Sequence, residues 1–275
     1  MTYHRLATTL AAATIRGAGL GAVGLSAAFG LFAGESLLTR ARIPKNLGEP
    51  PVSDGTTWCA PTVAPHRTPL QLAFVGDSLA AGLGAPTPRD TIAAQLALRL
   101  SAQAGRPVHV ANVAVVGSRS RDLARQIDTL AATCRPDLAV VIIGANDLMH
   151  HCAGEDAIRR EVLAVHRICV LGARVVVGTC PDVSAVTLLA EPLRHVARHQ
   201  ARAFGQAQAV ALRRTGALPV DLFTLLGMRF REPDMFAADG YHPSATGYAA
   251  AADALLPSAC EALGLPVATF QAAAA

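Results

Sequence analysis

The chain has 275 residues, is 52% hydrophobic, and carries 24 basic against 20 acidic side chains. That length and apolarity can bury a substantial core, which excludes wholesale disorder and favours one enzyme-sized α/β domain with an appendage. The net charge of +4 is spread along arginine-bearing stretches rather than gathered in one block, and aromatic residues make up only 4%, so nucleic acid is not an indicated partner.

The first residues differ from the rest. Eighteen uncharged residues, 17–34, separate Arg16 from Glu35, behind a short segment carrying His4, Arg5 and Arg16. Residues 1–43 therefore read as a signal sequence or membrane anchor, with the protein at the cell envelope, anchored or secreted. The alternative is a buried helix of a cytoplasmic protein, although the glycines of this stretch weaken a helix in water. Ala28-Phe29-Gly30 fits a small-x-small cleavage site loosely, and Arg40, Arg42 and Lys45 offset the preceding positive charge, leaving orientation open. Residues 44–69 are rich in Pro, Gly and Thr and lack periodicity, as a linker or wrapping segment would.

From residue 70 the pattern becomes regular. Short apolar runs at 70–76, 108–116, 138–144, 173–179 and 218–223 read as buried strands. Helical spacing fills 90–104, 120–132, 155–171, 191–214 and 244–263 between and after them. Five strand–helix alternations over 70–265, followed by a tail at 266–275, predict a parallel sheet with helices on both faces. Ligands are then expected at the carboxyl ends of the strands.

Four segments with reactive side chains follow strands. Gly76-Asp77-Ser78-Leu79 ends the first; a strand-to-helix turn exposes a serine while aiming helix amides at a carbonyl, but Ser78 would equally serve as a helix cap. Asp239-Gly240-Tyr241-His242 precedes the last helix, and a carboxylate three residues from a histidine can fix its tautomer and stabilise the imidazolium. Alone, the pair would equally be a turn aspartate and a surface histidine. Gly117 can present a bare N–H to an oxyanion or simply make a turn, and Asn146 of Gly144-Ala145-Asn146-Asp147 can donate its amide or cap the next helix.

A single GDSL tetrapeptide arises by chance in about one chain in a hundred of this size, but the four blocks in this order, over residues 70–260, resemble the SGNH or GDSL-type hydrolases. Residues 178–182 and 242–248 look similar to actinobacterial members, including mycobacterial cell-envelope esterases. The resemblance implies a three-layer α/β/α sandwich around a mostly five-stranded parallel sheet, flavodoxin-like in topology. It also implies a serine esterase with Ser78 as nucleophile, His242 as base, Asp239 as its orienting carboxylate, and an oxyanion hole built from Ser78, Gly117 and Asn146. No metal or organic cofactor is called for. The expected substrates are short- to medium-chain acyl esters, or acetylated or lipid components of the envelope. A thioesterase or acyltransferase would use the same triad, since the residues do not encode the acceptor; a non-catalytic envelope-binding module has no need of all five residues.

The remaining features carry less. His195 and His199 stand four apart on a helix without an evident third metal ligand. His150, His151 and Cys152 read as a loop beside the Asn146 block. Six cysteines, Cys59, Cys134, Cys152, Cys169, Cys180 and Cys260, permit fifteen pairings. An exported chain is expected to form at least one disulfide, whereas in the cytosol Cys169 and Cys180 would be small buried hydrophobes. Pocket walls are expected from loops at 80–90, 148–156 and 180–195, and oligomeric state is not legible.

Overall fold

The computed structural model describes residues 48–150, 152, 154–186 and 191–266. The segment read as a signal or anchor, including 17–34, lies outside the described residues, as do His151 and residues 267–275 of the tail. Among the described residues no helix is long and apolar enough to cross a membrane.

Six strands form one sheet: β1 (Thr57–Trp58), β2 (Leu70–Gly76), β3 (Val108–Asn112), β4 (Leu138–Ile142), β5 (Arg174–Gly178) and β6 (Leu218–Val220), in the order β1-β3-β2-β4-β5-β6. The last five are parallel, with register pairs such as Leu72↔Val110, Phe74↔Val140, Val140↔Val176 and Val176↔Leu218. This is the expected parallel sheet with one addition. The segment read as a linker or wrapping stretch contributes β1, antiparallel to β3. No alternation marks a two-residue strand; pairing with β3 fixes it. Asp54 accepts from the Asn112 N–H and Ala60 donates to Ser101, so the segment is tied down on either side of β1.

Alternation within the strands sends successive side chains to opposite faces. Leu70, Leu72, Phe74, Val110, Leu138, Val140 and Val176 enter one cluster, and Ala73, Val75, Ala139, Val141, Val175 and Val177 the other. Each fully buried Leu or Phe contributes about 1.5–3 kcal/mol, and both faces need cover. Helices α2 (Ile92–Ala104) and α8 (Ala245–Ala262) cover the first face, while α3 (Leu123–Thr133), α5 (Glu155–Val170) and the end of α6 (Leu193–Arg213) cover the second. Their boundaries follow local chemistry: Thr91 caps α2 by accepting from Ala94 N–H, Gly105 ends it in the left-handed region, and Ser244 caps α8. Short helices α1 (Ser78–Ala81), α4 (Ala145–Met149) and α7 (Leu222–Leu226) all begin just beyond strand ends.

The chain starts this parallel sheet at β2, steps to β3 on one side, then crosses to β4 on the other. The direction of strand addition reverses at β2, so a crevice opens beyond its carboxyl end. Residues 76–79, 113–118 and 143–147 all meet there, because each follows one of these three strands.

Candidate active site

Gly76 closes β2 with φ +149, and a Cβ there would lie 1.9 Å from the Ile142 carbonyl oxygen, so only glycine lets the turn pass β4. Asp77 then caps α1, its Oδ1 accepting from the Leu79 N–H at 3.0 Å. The capping role open to Ser78 in the sequence is thus taken by its neighbour. Ser78 becomes the first residue of the helix, with its hydroxyl free to face elsewhere. Burial first, then the nearby charge of Asp147, raise the Asp77 carboxyl to about 7 against the pull of the Leu79 N–H.

The hydroxyl faces His242. Ser78 Oγ stands 3.2 Å from His242 Nε2, and His242 Nδ1 stands 2.7 Å from Asp239 Oδ2. Asp239 Oδ1 accepts from the Tyr241 and His242 N–H groups at 2.8 and 2.9 Å, which folds the four residues into a tight Asx-type turn. Both side chains are nearly enclosed, His242 at 7% and Asp239 at 4% exposure. Burial works against the charge on Asp239, yet the His242 ring and the two backbone donors outweigh it and hold the carboxyl below its ordinary value. A charged Asp239 makes Nδ1 the protonated nitrogen, leaving Nε2 to accept from Ser78.

The loop at 80–90 supports this arrangement from behind instead of walling the pocket. A Cβ on Gly84, at φ +97, would meet His242 Cβ at 2.8 Å, and the buried Tyr248 hydroxyl donates to Leu83 O at 2.6 Å, holding that loop against α8. Tyr241 packs edge-on against the His242 ring at 4.7 Å.

Of the two further candidates, Asn146 lines the same cavity as Ser78 and His242, and Gly117 does not. Asn146 Nδ2 donates to the Ser118 carbonyl at 3.0 Å, leaving its second amide hydrogen uncommitted. Gly117 sits one residue away in an exposed turn at φ +79. Neither its N–H nor that of Ser78 meets an acceptor among the described residues.

Sequence reading missed the buried polar groups that fix these loops. Gln126 of α3 brackets Gly76, accepting from its N–H and donating to its carbonyl, both at 2.8 Å, and also reaches Ser118 Oγ. Asn112 donates to Ala80 O, and Asp147 accepts from both the N–H and hydroxyl of Ser120. Gln208 of α6 donates to Ile143 O and Glu161 and accepts from Cys180 N–H, joining the ends of β4 and β5. The detectable signal was polarity in the wrong place: Gln126, Glu161 and Gln208 all occupy the apolar stripe of their helices.

Glu161 is the extreme case. It is 1% exposed, its Oε2 has no partner, and burial pushes its carboxyl up to about 8 despite the Gln208 bond, with Asp147 adding to the rise. The folded protein therefore holds this proton from the unfolded-state value near 4.5 up to about 8 while the unfolded chain loses it. Stability from this group is complete below the lower value and declines as pH rises through the window. Glu161→Gln mimics the protonated acid, so its advantage over wild type is expected to grow between those pH values by a few kcal/mol and then level off. Thermal melts at successive pH values measure this, and a difference independent of pH would contradict it.

The cavity beside Ser78 has a volume of about 80 Å³ and apolar walls. They include Pro181, Val183 and Val186, as expected for the 180–195 loop, and also Leu226, Gly227, Phe230 and Phe236, a stretch not anticipated. No residue of 80–90 or 148–156 lines it. Cys152 is exposed near Arg119, and the rings of His195 and His199 meet edge-on at 4.8 Å. Among the described residues no His/Cys/Asp/Glu group could hold a metal. All six cysteines are unpaired, contrary to the disulfide expected of an exported chain. They are dispersed: Cys260 of α8 packs in the core, Cys134 against the opposite face, and Cys180 in a smaller cluster with Phe204 and Phe223.

A serine, histidine and aspartate in one hydrogen-bonded line, at the switch point of a flavodoxin-like sheet, define a hydrolase of the SGNH type. The chain belongs to the GDSL-like lipase/acylhydrolase family, whose profile matches residues 74–250, and it is a GDSL-type esterase/lipase. It is 35% identical over 249 residues to the GDSL-like esterase Rv1075c of Mycobacterium tuberculosis, covering 86% of this chain and 79% of that one. Among solved structures, TesA shares the fold with TM-score 0.58 at 24% identity, covering 70% of this chain and 99% of its own. A phospholipase A1 from Streptomyces albidoflavus does so with TM-score 0.53 at 17% identity, covering 70% and 99%.

Proposed function

We propose that the chain hydrolyses short-chain carboxylic esters through an acyl-enzyme on Ser78. The observation that carries this reading is the unbroken line Asp239–His242–Ser78 opening into an apolar cavity. Ser78 Oγ attacks the ester carbonyl carbon as His242 Nε2 takes the hydroxyl proton, and Asp239 stabilises the imidazolium. The carbonyl oxygen, now an oxyanion, is met by the N–H group of Ser78 and the second amide hydrogen of Asn146, which line the cavity; the exposed turn holding Gly117 would have to move inward to add its N–H. Collapse expels the alkoxide, which takes the proton from His242, and water then repeats the sequence to release the acid.

The small cavity supports the short chain. The space enclosed beside Ser78 is small and largely apolar, so a long acyl chain has to extend out of the cavity. Thioester cleavage and acyl transfer would use the same residues; no feature of the cavity favours them. We also propose a place at the cell envelope, supported only by the eighteen uncharged residues 17–34 behind a basic segment.

A fluorophosphonate is the direct test of the acyl-enzyme. Its phosphorus is expected to become bonded to Ser78 Oγ with loss of fluoride, seen as a mass shift on the peptide holding Ser78. Ester turnover that survives complete labelling of Ser78 would sink the acyl-enzyme. Turnover of a series of nitrophenyl esters is expected to decline as the acyl chain lengthens, and an optimum at long chains would overturn the short-chain assignment. Membrane fractionation with and without residues 1–43 tests the envelope assignment, and unchanged partitioning counts against it.

A further inference from the structure

The cavity beside Ser78 is apolar on nearly every side, but one wall is a carboxylate. Asp182 lines it between Pro181 and Val183, with a side chain 4% exposed. Its Oδ1 is fully engaged, accepting from the N–H and the hydroxyl of Ser184 and so capping the turn Val183–Ala185. Among the described residues its Oδ2 accepts no hydrogen bond and has only a long ion pair, to Arg198. The nearest cation, Arg198, holds its Nε 3.9 Å away, outside hydrogen-bond reach, and its guanidinium lies over the Phe223 ring. Oδ2 is turned towards Gly227, 3.9 Å from where a Cβ on that residue would stand, and Gly227 lines the same cavity.

A carboxylate oxygen beside an apolar cavity, with only a cation beyond hydrogen-bond distance, has a lone pair to offer a donor on a ligand. Nothing in the triad or oxyanion groups requires Asp182, and the turn it caps uses only Oδ1. Building on the esterase reading, we infer that Asp182 Oδ2 recognises a hydrogen-bond donor on the substrate, so the preferred esters carry a hydroxyl group a few atoms from the scissile carbonyl. A charged acceptor makes a stronger bond to a hydroxyl than a neutral one does. A carboxylate also accepts only, so it distinguishes a hydroxyl both from hydrogen and from a methyl ether. The hydroxyl can belong to the acid or to the alcohol of the ester, and the chemistry at Oδ2 is the same.

Two substrate series separate these sources. The first compares nitrophenyl esters of butyrate, 3-hydroxybutyrate and 3-methoxybutyrate; the second compares the butyrate esters of propanol, 2-hydroxyethanol and 2-methoxyethanol. In one series the wild type is expected to show kcat/KM about tenfold higher for the hydroxyl member than for its plain counterpart, with the methoxy member slowest. Asp182→Asn keeps an acceptor for Ser184 but turns the open oxygen into a donor. Its hydroxyl-to-plain ratio is expected to fall towards one and its methoxy-to-plain ratio to rise. A role confined to the Val183–Ala185 turn would change every member by the same factor, and that result overturns the inference. Wild type alone decides the matter if the variant does not fold: no hydroxyl preference in either series, with Ser78-dependent butyrate turnover intact, removes Asp182 as a recognition group and leaves the esterase reading standing. Butyrate turnover that persists in Ser78→Ala overturns that reading and the inference with it.

Discussion

Ser78→Ala is expected to lower kcat/KM for a short nitrophenyl ester by about 10⁴-fold or more while barely changing stability. The two halves of this result come from one observation. Asp77, not Ser78, accepts from the Leu79 N–H, so deleting the hydroxyl removes the proposed nucleophile without uncapping α1. A capping serine replaced by alanine would cost about 1 kcal/mol; here the change in Tm is expected to be close to zero. Residual turnover comes from the oxyanion donors, which still polarise the carbonyl for water. Steady-state kinetics and a thermal melt on the same preparation check both. Retained activity together with a marked loss of Tm would mean that the hydroxyl serves the helix and not the reaction.

Asp239→Asn is expected to reduce kcat about 10⁴-fold with the backbone of the turn preserved. An asparagine oxygen can still accept from the Tyr241 and His242 N–H groups, as Asp239 Oδ1 does. Its amide then occupies the place of Oδ2 and points hydrogens at His242 Nδ1. That nitrogen has to become the acceptor, the proton moves to Nε2, and Nε2 can no longer take the proton from Ser78 Oγ. The charge that stabilises the imidazolium is lost as well. The tautomer is visible in the nitrogen chemical shifts of the His242 ring, so the loss of rate and its cause are measured separately. Full activity in the Asp239→Asn variant, or an Nδ1 that is still protonated, would remove Asp239 from the mechanism.

The boundaries of β2 and of the five long helices were legible to within a few residues because burial on both sheet faces writes continuous apolar runs, and helices write a 3.6-residue stripe. The ends of β3, β4 and β6 were drawn too long for the same reason, and Leu222 and Phe223, read as strand, begin α7. Val113 and Ile143 stay apolar after pairing has stopped, since both still pack against the second face of the sheet. β1 could not be read, because two residues have no period and their conformation is fixed by β3. The pocket wall at 226–236 was illegible for another reason. Leu226, Phe230 and Phe236 look like ordinary core side chains in sequence, and only the path of the chain after β6 decides that they flank Ser78.

The sequence by itself determined the reactive groups and their order after successive strands, since the chemistry of a serine, a histidine, a carboxylate and an amide is carried by the residues and strand ends are marked by local pattern. Tertiary structure decided what these groups do to one another. Ser78 and His242 are 164 residues apart in the chain and 3.2 Å apart in the fold, a distance set by the crossover at β2 and by Gly84 admitting the His242 loop. It also decided that Asp77 caps α1, freeing Ser78, and that Asn146 reaches the cavity while Gly117 stays in an exposed turn. Asp182 lines the cavity for the same reason. These are properties of contacts between distant segments, and no local pattern of side chains encodes which segment a loop will meet.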